Sequence, residues 1–257
     1  MREDPVIATG VKATDPFNKI PDGLLKRVSA DHLTPYLSQF QVKPTLTSLS
    51  DSLSEMMHTS AFVLGAMQMP GKREAIDFVQ LHSVTLMVFY PAILALEWLS
   101  DAEKARLLEM KGRVDMILYA GCGSPALHPE RVTAYVPTHP DHGWPELCHR
   151  ANIYRDEGHL AKLIRALYSL EALDDKEMPD LPVKKADFIK IAHMALDSTE
   201  RAMEPHGCKM PEQISEKIAG GIGLGGDMVV DNLKRFVLYS GLDKAWQYVH
   251  DVEDRDE

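Results

Sequence analysis

A chain of 257 residues with 45% hydrophobic content is globular and long enough for one large domain or two small ones. Its formal net charge of −10 argues against nucleic acid or an anionic membrane surface as a partner. The absence of an apolar run of about 18 residues argues against a transmembrane helix, and the start Met-Arg-Glu-Asp-Pro lacks the apolar core of a signal peptide. Three widely spaced cysteines, Cys122, Cys148 and Cys208, fit free thiols in a reducing, cytoplasmic setting.

In chain order, residues 1–21 hold three prolines and mixed charges and read as an irregular arm, ordered only if something docks it. Asp22–Phe40 has helical spacing, with Pro35 expected to divide it. Thr47–Met69 reads as a helix ended by Pro70-Gly71. Arg73–Leu99 carries the strongest apolar pattern, so it is expected to be the central buried helix, kinked or split at Pro91. Ser100-Asp101 with Glu103 caps the next helix, which runs to about Tyr119, where Gly121 and Gly123 stop it.

Residues 120–145 form a long Gly, Pro and His stretch, with a short helix expected within Glu130–Tyr135. A connection this long is usually functional or covers something. Trp144–Tyr154, Asp156–Leu170, Lys185–Met203, Val229–Tyr239 and Asp243–Val249 complete the expected helices. No segment alternates with period two, so the chain is expected to be all-α: one irregular multi-helix domain with long loops over residues 22–257, after the arm. The pattern leaves an oligomer open.

Several stretches could carry chemistry. Gly220–Gly226 contains a G-x-G-x-x-G match, but a helix rather than a strand is expected before it, which favours a plain loop over nucleotide binding. His139 and His142 could chelate a metal at the surface or simply sit in a solvated loop. His193 and Asp197 have ordinary i, i+4 spacing. His82, flanked by Phe78, Val79, Leu86 and Phe89, is expected to be deeply buried. In Asp156–Leu170, apolar residues recur at the helical period, and His159 and Lys162 share a face with Leu163 and Ala166. Burying an imidazole and an amine there costs free energy unless each finds a partner, so they are candidates for a site. The plain alternative has Lys162 reaching solvent and His159 capping the helix.

Several segments in register resemble the questin oxidase-like family. Arg73–Thr85 is similar to its R-x-x-D-F-x-x-L-H-x-V-T segment. Gly123–Leu127 is similar to G-S-P-x-L, and Asp156–Leu167 to D-D-G-H-x-x-K-x-x-R-A-L. Ala195–Glu200 and Gly241–Trp246 match two shorter motifs near the end. The resemblance covers residues 70–205 and 235–255. It implies a helical oxidoreductase of polyketide secondary metabolism that oxidises an aromatic polyketide or quinone with oxygen, by a Baeyer–Villiger-type or ring-cleaving reaction, with NADPH in some members. For some members it also implies a non-haem iron held by histidines and a carboxylated lysine. Transferred residue by residue, His82, His159 and Lys162 become the metal and catalytic residues, with Asp156 and Asp197 as orienting carboxylates. Imidazole suits iron, and a lysine carbamate would present an anionic oxygen. The family's further N-terminal histidines have no counterpart at His32 or His58, and Gly220–Gly226 looks foreign to the pattern. This leaves open a shortened paralogue, a partner subunit, an incomplete gene product, or a non-catalytic helical protein that binds a hydrophobic metabolite.

Overall fold

The computed structural model describes residues 1–154, 158–173, 176–203 and 236–252. Among the described residues, eleven α-helices follow one another: α1 (Pro5–Ala8), α2 (Leu25–Arg27), α3 (Ala30–Leu37), α4 (Leu46–Ala66), α5 (Leu81–Met87), α6 (Tyr90–Leu94), α7 (Asp101–Gly121), α8 (Pro129–Thr133), α9 (Trp144–Ala151), α10 (His159–Leu173) and α11 (Phe188–Met203). Among the described residues, the only β pairings are two isolated bridges, Lys72 with Asp251 and Asp77 with Val237. The all-α expectation therefore holds. No described helix is long and apolar enough to cross a membrane.

Sequence chemistry sets the ends of the long helices. The Thr45 hydroxyl accepts from the Ser48 N–H at the start of α4. Ser100 and Glu103 form a capping box on α7, satisfying two donors that the first turn leaves open. The core lies where α10 meets α11, α5 and α9, and where α4 meets α5, α7 and α8. On α10, the apolar stripe Leu160, Leu163, Ile164, Leu167 and Leu170 is fully buried, each side chain contributing about 1.5–3 kcal/mol as an upper bound. Gly65 lets α4 approach α11, because a Cβ there would lie 2.8 Å from the Ile191 side chain.

Two expectations of helix layout are corrected. Arg73–Leu99 is not one central helix. Residues 73–80 are non-helical, and α5 and α6 are short pieces separated at Val88–Phe89. Pro91 sits in the first turn of α6, where it lacks no needed hydrogen bond. Pro35 does not divide its segment either, since it lies inside α3. The break falls earlier, at the extended Val28, after which Ser29 caps α3. Residues 229–235 of the expected Val229–Tyr239 helix lie outside the described residues, and 236–239 are not helical.

The N-terminal arm is docked. Ile7 and Val11 pack with Leu24, Val28, Leu33 and Ala120 of α7 in a second apolar cluster. Asp4 caps α1 and also accepts from the Tyr36 hydroxyl at 2.6 Å, with the His32 ring 2.9 Å away. Tyr36 and then His32 hold the Asp4 carboxyl well below the usual carboxylate range. The Arg27 guanidinium pairs with Asp15 and holds its carboxyl at about 2. A depressed folded-state pKa gives stability that is present above the unfolded value of 3.8 and is lost as pH falls through the folded value. The thermal midpoint is therefore expected to drop between about pH 4 and about pH 2. Combined Asp4→Asn and Asp15→Asn should flatten that limb of the melting profile; an unchanged slope would show that the arm does not set acid lability.

Candidate functional site

The site is built on the non-helical segment before α5. Asp77 is fully buried. Its Oδ1 accepts from the backbone N–H of Val79 at 2.7 Å and of Gln80 at 2.9 Å, capping the turn into α5, and the Cys122 thiol also lies against it. Its Oδ2 accepts from the Ser240 N–H at 2.7 Å. Beside it, the Phe78 N–H donates to the Val237 carbonyl at 2.8 Å, and the Val237 N–H to the Ile76 carbonyl at 3.0 Å. Residues near the end of the chain thus hold Phe78 in place. Gly241 belongs to the same joint: a Cβ there would lie 2.6 Å from the Cys122 carbonyl.

Phe78 is the bed for two histidines. Its ring centre lies 5.3 Å from that of His82 and 4.9 Å from that of His159. His82 and His159 are 5.7 Å apart, nearly edge to face. The His82 Nδ1 lies 2.9 Å from the Phe78 carbonyl. A carbonyl only accepts, so Nδ1 carries the proton and Nε2 keeps its lone pair. His159 is the first residue of α10, after Gly158 with its left-handed φ of 74°. Lys162 follows one turn later on the same face.

His82, Lys162 and Arg165 line a cavity of about 380 Å³ together with Thr85, Leu86 and Phe89. His82 and Phe78 also line a second cavity of about 250 Å³ beside Phe17, Val79 and Tyr239. The expected deep burial of His82 is corrected: its ring is exposed, because α5 begins only at Leu81 and turns Leu81, Val84 and Met87 inward instead. Burial of part of the ring still lowers its pKa below the ordinary imidazole value, and His159 and Lys162 lower it further against the pull of the Phe78 carbonyl. A neutral imidazole is the form that ligates a metal.

The three residues singled out by sequence thus come together. A metal nitrogen distance near 2 Å puts each imidazole centre roughly 3 Å from a shared ion, and two such radii span the 5.7 Å between the His82 and His159 rings. Among the described residues no group of three or more His, Cys, Asp or Glu could hold a metal ion. Lys162 lines the same cavity as His82. Arg165, three residues beyond Lys162 and on its face, was not singled out, although its i, i+3 spacing marks it. Phe78 was equally legible only as a motif letter.

The remaining candidates fall elsewhere. Asp156 lies outside the described residues, as do Cys208 and Gly220–Gly226. Asp197 pairs with Arg150, Tyr135 and the Thr138 N–H. His139 and His142 stack face to face at 4.7 Å, and His193 Nε2 meets the His142 carbonyl. His58 is buried in the main core against Phe188.

The profile of the questin oxidase-like family matches residues 1–167. The chain is 43% identical over 256 residues to the oxidoreductase AflY of Aspergillus parasiticus, covering 99% of this chain and 51% of that protein. It is 37% identical over 186 residues to the questin oxidase of Aspergillus terreus, covering 70% of this chain and 41% of that protein. It is 34% identical over 199 residues to the Baeyer-Villiger oxidase ptaJ of Pestalotiopsis fici, covering 75% of this chain and 44% of that protein. The chain therefore spans about half the length of the curated relatives it matches. Residues 1–69, expected to fall outside the resemblance, lie within the family match, and the alignment with AflY runs through Gly220–Gly226.

Proposed function

This chain belongs to the questin oxidase-like family, and on that premise we propose that it is an oxidoreductase, or the part of one that carries His82, His159 and Lys162, acting with oxygen on an aromatic polyketide or quinone. The relatives' names point to Baeyer–Villiger or questin oxidation. The observation that carries the reading is that His82 and His159 lie 5.7 Å apart on the Phe78 ring, while His82 and Lys162 line one cavity. A cavity of this size falls within the usual range for small-molecule sites. Leu86 and Phe89 offer a planar substrate an apolar wall, and Arg165 can hold a ring oxygen that carries negative charge.

His82 Nε2, the His159 imidazole and a Lys162 carbamate would hold a non-haem iron, whose chemistry there is oxygen activation. The Phe78 carbonyl fixes the His82 tautomer and ring plane, the orienting role that a partner beyond the ligands plays at metal sites. An NADPH requirement is part of the proposal on family grounds alone. So is a cytoplasmic setting, which the free thiols of Cys122 and Cys148 support.

The test is metal analysis with oxygen uptake on a hydroxylated anthraquinone, with and without NADPH. Wild type is expected to hold about one iron per chain and to consume oxygen, and His82→Ala to lose both by roughly tenfold or more. Iron content untouched by His82→Ala would overturn the site. A folded protein that holds no metal and consumes no oxygen would favour the non-catalytic reading.

A further inference from the structure

His82 borders two cavities of unlike chemistry. The larger, of about 380 Å³, has Lys162 and Arg165 in its wall, and none of its described lining residues is acidic. Arg165 keeps its charge whatever Lys162 carries, since a guanidinium does not lose its proton in a protein. The smaller, of about 250 Å³, has no charged residue besides His82 among its described lining residues. Phe17, Ile20 and Pro21 of the N-terminal arm wall it together with Phe78. Asn18 lines it too and is exposed, so a ligand can reach its amide, which both donates and accepts.

The arm is held in register with His82. The Tyr239 hydroxyl donates to the Phe17 carbonyl at 2.5 Å and accepts from the Lys19 N–H at 3.3 Å. Its ring stands edge-on to Phe17, with centres 6.4 Å apart. The Lys19 ammonium lies 5.5 Å from the centre of the same ring and donates to the carbonyls of Lys12, Ala13 and Asp15. Tyr239 has a left-handed φ of 63°, which a bulky residue keeps only when its surroundings fix it. Ser240, the next residue, donates to Asp77 Oδ2, and Asp77 Oδ1 caps the turn into α5. One buried carboxylate thus sets Tyr239, and through it the arm, against the helix that carries His82. The wall continues into a π-helical turn, Ile20–Leu24, a form that is rare and frequent at functional sites.

We infer that the N-terminal arm is a specificity element: the cavity it walls beside His82 receives the uncharged end of a fused-ring substrate whose acidic oxygen lies at Arg165. Phe17, Ile20 and Phe78 cover the apolar surface of that end, and the Asn18 amide hydrogen-bonds a neutral ring oxygen on it. The substrate class is therefore a polycyclic aromatic with an acidic group at one end, long enough to reach both cavities across His82. The inference rests on the reading of His82 as the centre of a substrate site, and its test reads binding and not turnover.

The experiment is calorimetric titration of the whole chain with anthraquinone-2-carboxylate, the shorter acid 2-naphthoate, and the uncharged 2-(hydroxymethyl)anthraquinone. The long acid is expected to bind roughly tenfold tighter than naphthoate, the effect of covering one further ring, and tighter than the uncharged quinone. Asn18→Trp fills the arm cavity from an exposed position. It should weaken the long acid roughly tenfold and leave naphthoate unchanged. Arg165→Met should weaken both acids and leave the uncharged quinone unchanged. Circular dichroism establishes which variants are folded, and should Asn18→Trp not fold, Pro21→Trp fills the same cavity from another lining position. Equal binding of the two acids overturns the proposal. So does a long acid that binds the filled variants as tightly as wild type, or a naphthoate affinity that falls with them in equal measure. Iron content of the same preparations keeps the two readings apart: an iron-free chain with the expected binding pattern loses the metal site and keeps the arm as a specificity element.

Discussion

Asp197→Ala is expected to destabilise the fold by about 3–5 kcal/mol, the cost of breaking a buried ion pair from one side. Asp197 is 1% exposed. Its Oδ1 faces the Arg150 guanidinium at 3.1 Å. Its Oδ2 accepts from the Tyr135 hydroxyl at 2.7 Å and the Thr138 N–H at 2.9 Å. Burial pushes its carboxyl up, but those donors win and hold the pKa below the ordinary value. Tyr135 is pushed the other way, by burial and by the Asp197 charge. Alanine takes the shared acceptor from the Tyr135 hydroxyl and the Thr138 N–H, and one of the carboxylates from Arg150. Glu200 keeps two contacts to Arg150, accepting from Nε at 3.0 Å and from Nη2 at 2.6 Å, and limits the damage. Asp197→Asn retains one acceptor and most of the shape, so it should cost clearly less. Urea unfolding of the two variants checks this. A loss below about 1 kcal/mol for Asp197→Ala would mean the cluster is loosely held. The sign with pH is that of any depressed carboxylate: the contribution is present above the unfolded value and fades as pH falls below it.

That cluster shows what the sequence could and could not disclose. Asp197 reads as an i, i+4 companion of His193 on one helix, which made it an orienting candidate. Its real partners come from the Pro-rich loop and α9, at separations that no local spacing encodes. The same limit explains residues 73–80. Apolar residues there are dense, and a dense run reads alike as a buried helix or as an extended buried segment. What decides is the pairing with Val237 and Ser240, about 160 positions away in the chain. His82 was consequently misread as deep. By contrast, α4, α7, α10 and α11 were legible because their caps and apolar stripes are local. The pairing of His159 with Lys162 was legible for the same reason. Their meeting with His82 was legible only through the family resemblance, because α5 and α10 are joined by packing and not by spacing.

Lys162→Met is the second large effect, and it falls on function instead of stability. Lys162 is partly buried on α10 and lines the same cavity as His82 and Arg165. Methionine keeps the length and apolar stem, so the thermal midpoint should correspond to a change within about 0.5 kcal/mol. Iron content should nevertheless fall roughly tenfold or more, because two imidazoles alone make a weak site. The proposed carbamate adds a sharper signature. Stripping dissolved carbon dioxide should lower iron retention and oxygen uptake in wild type, and bicarbonate should restore both. Lys162→Met should show no bicarbonate response. Lys162→Glu places a carboxylate on a shorter stem without needing carbon dioxide, so partial iron retention that ignores bicarbonate is expected. Metal analysis of the three proteins, with and without bicarbonate, separates the cases. Iron that persists in Lys162→Met would place the third ligand elsewhere. Iron that depends on Lys162 but not on bicarbonate would make the lysine a charge partner of the two histidines and not a carbamate ligand.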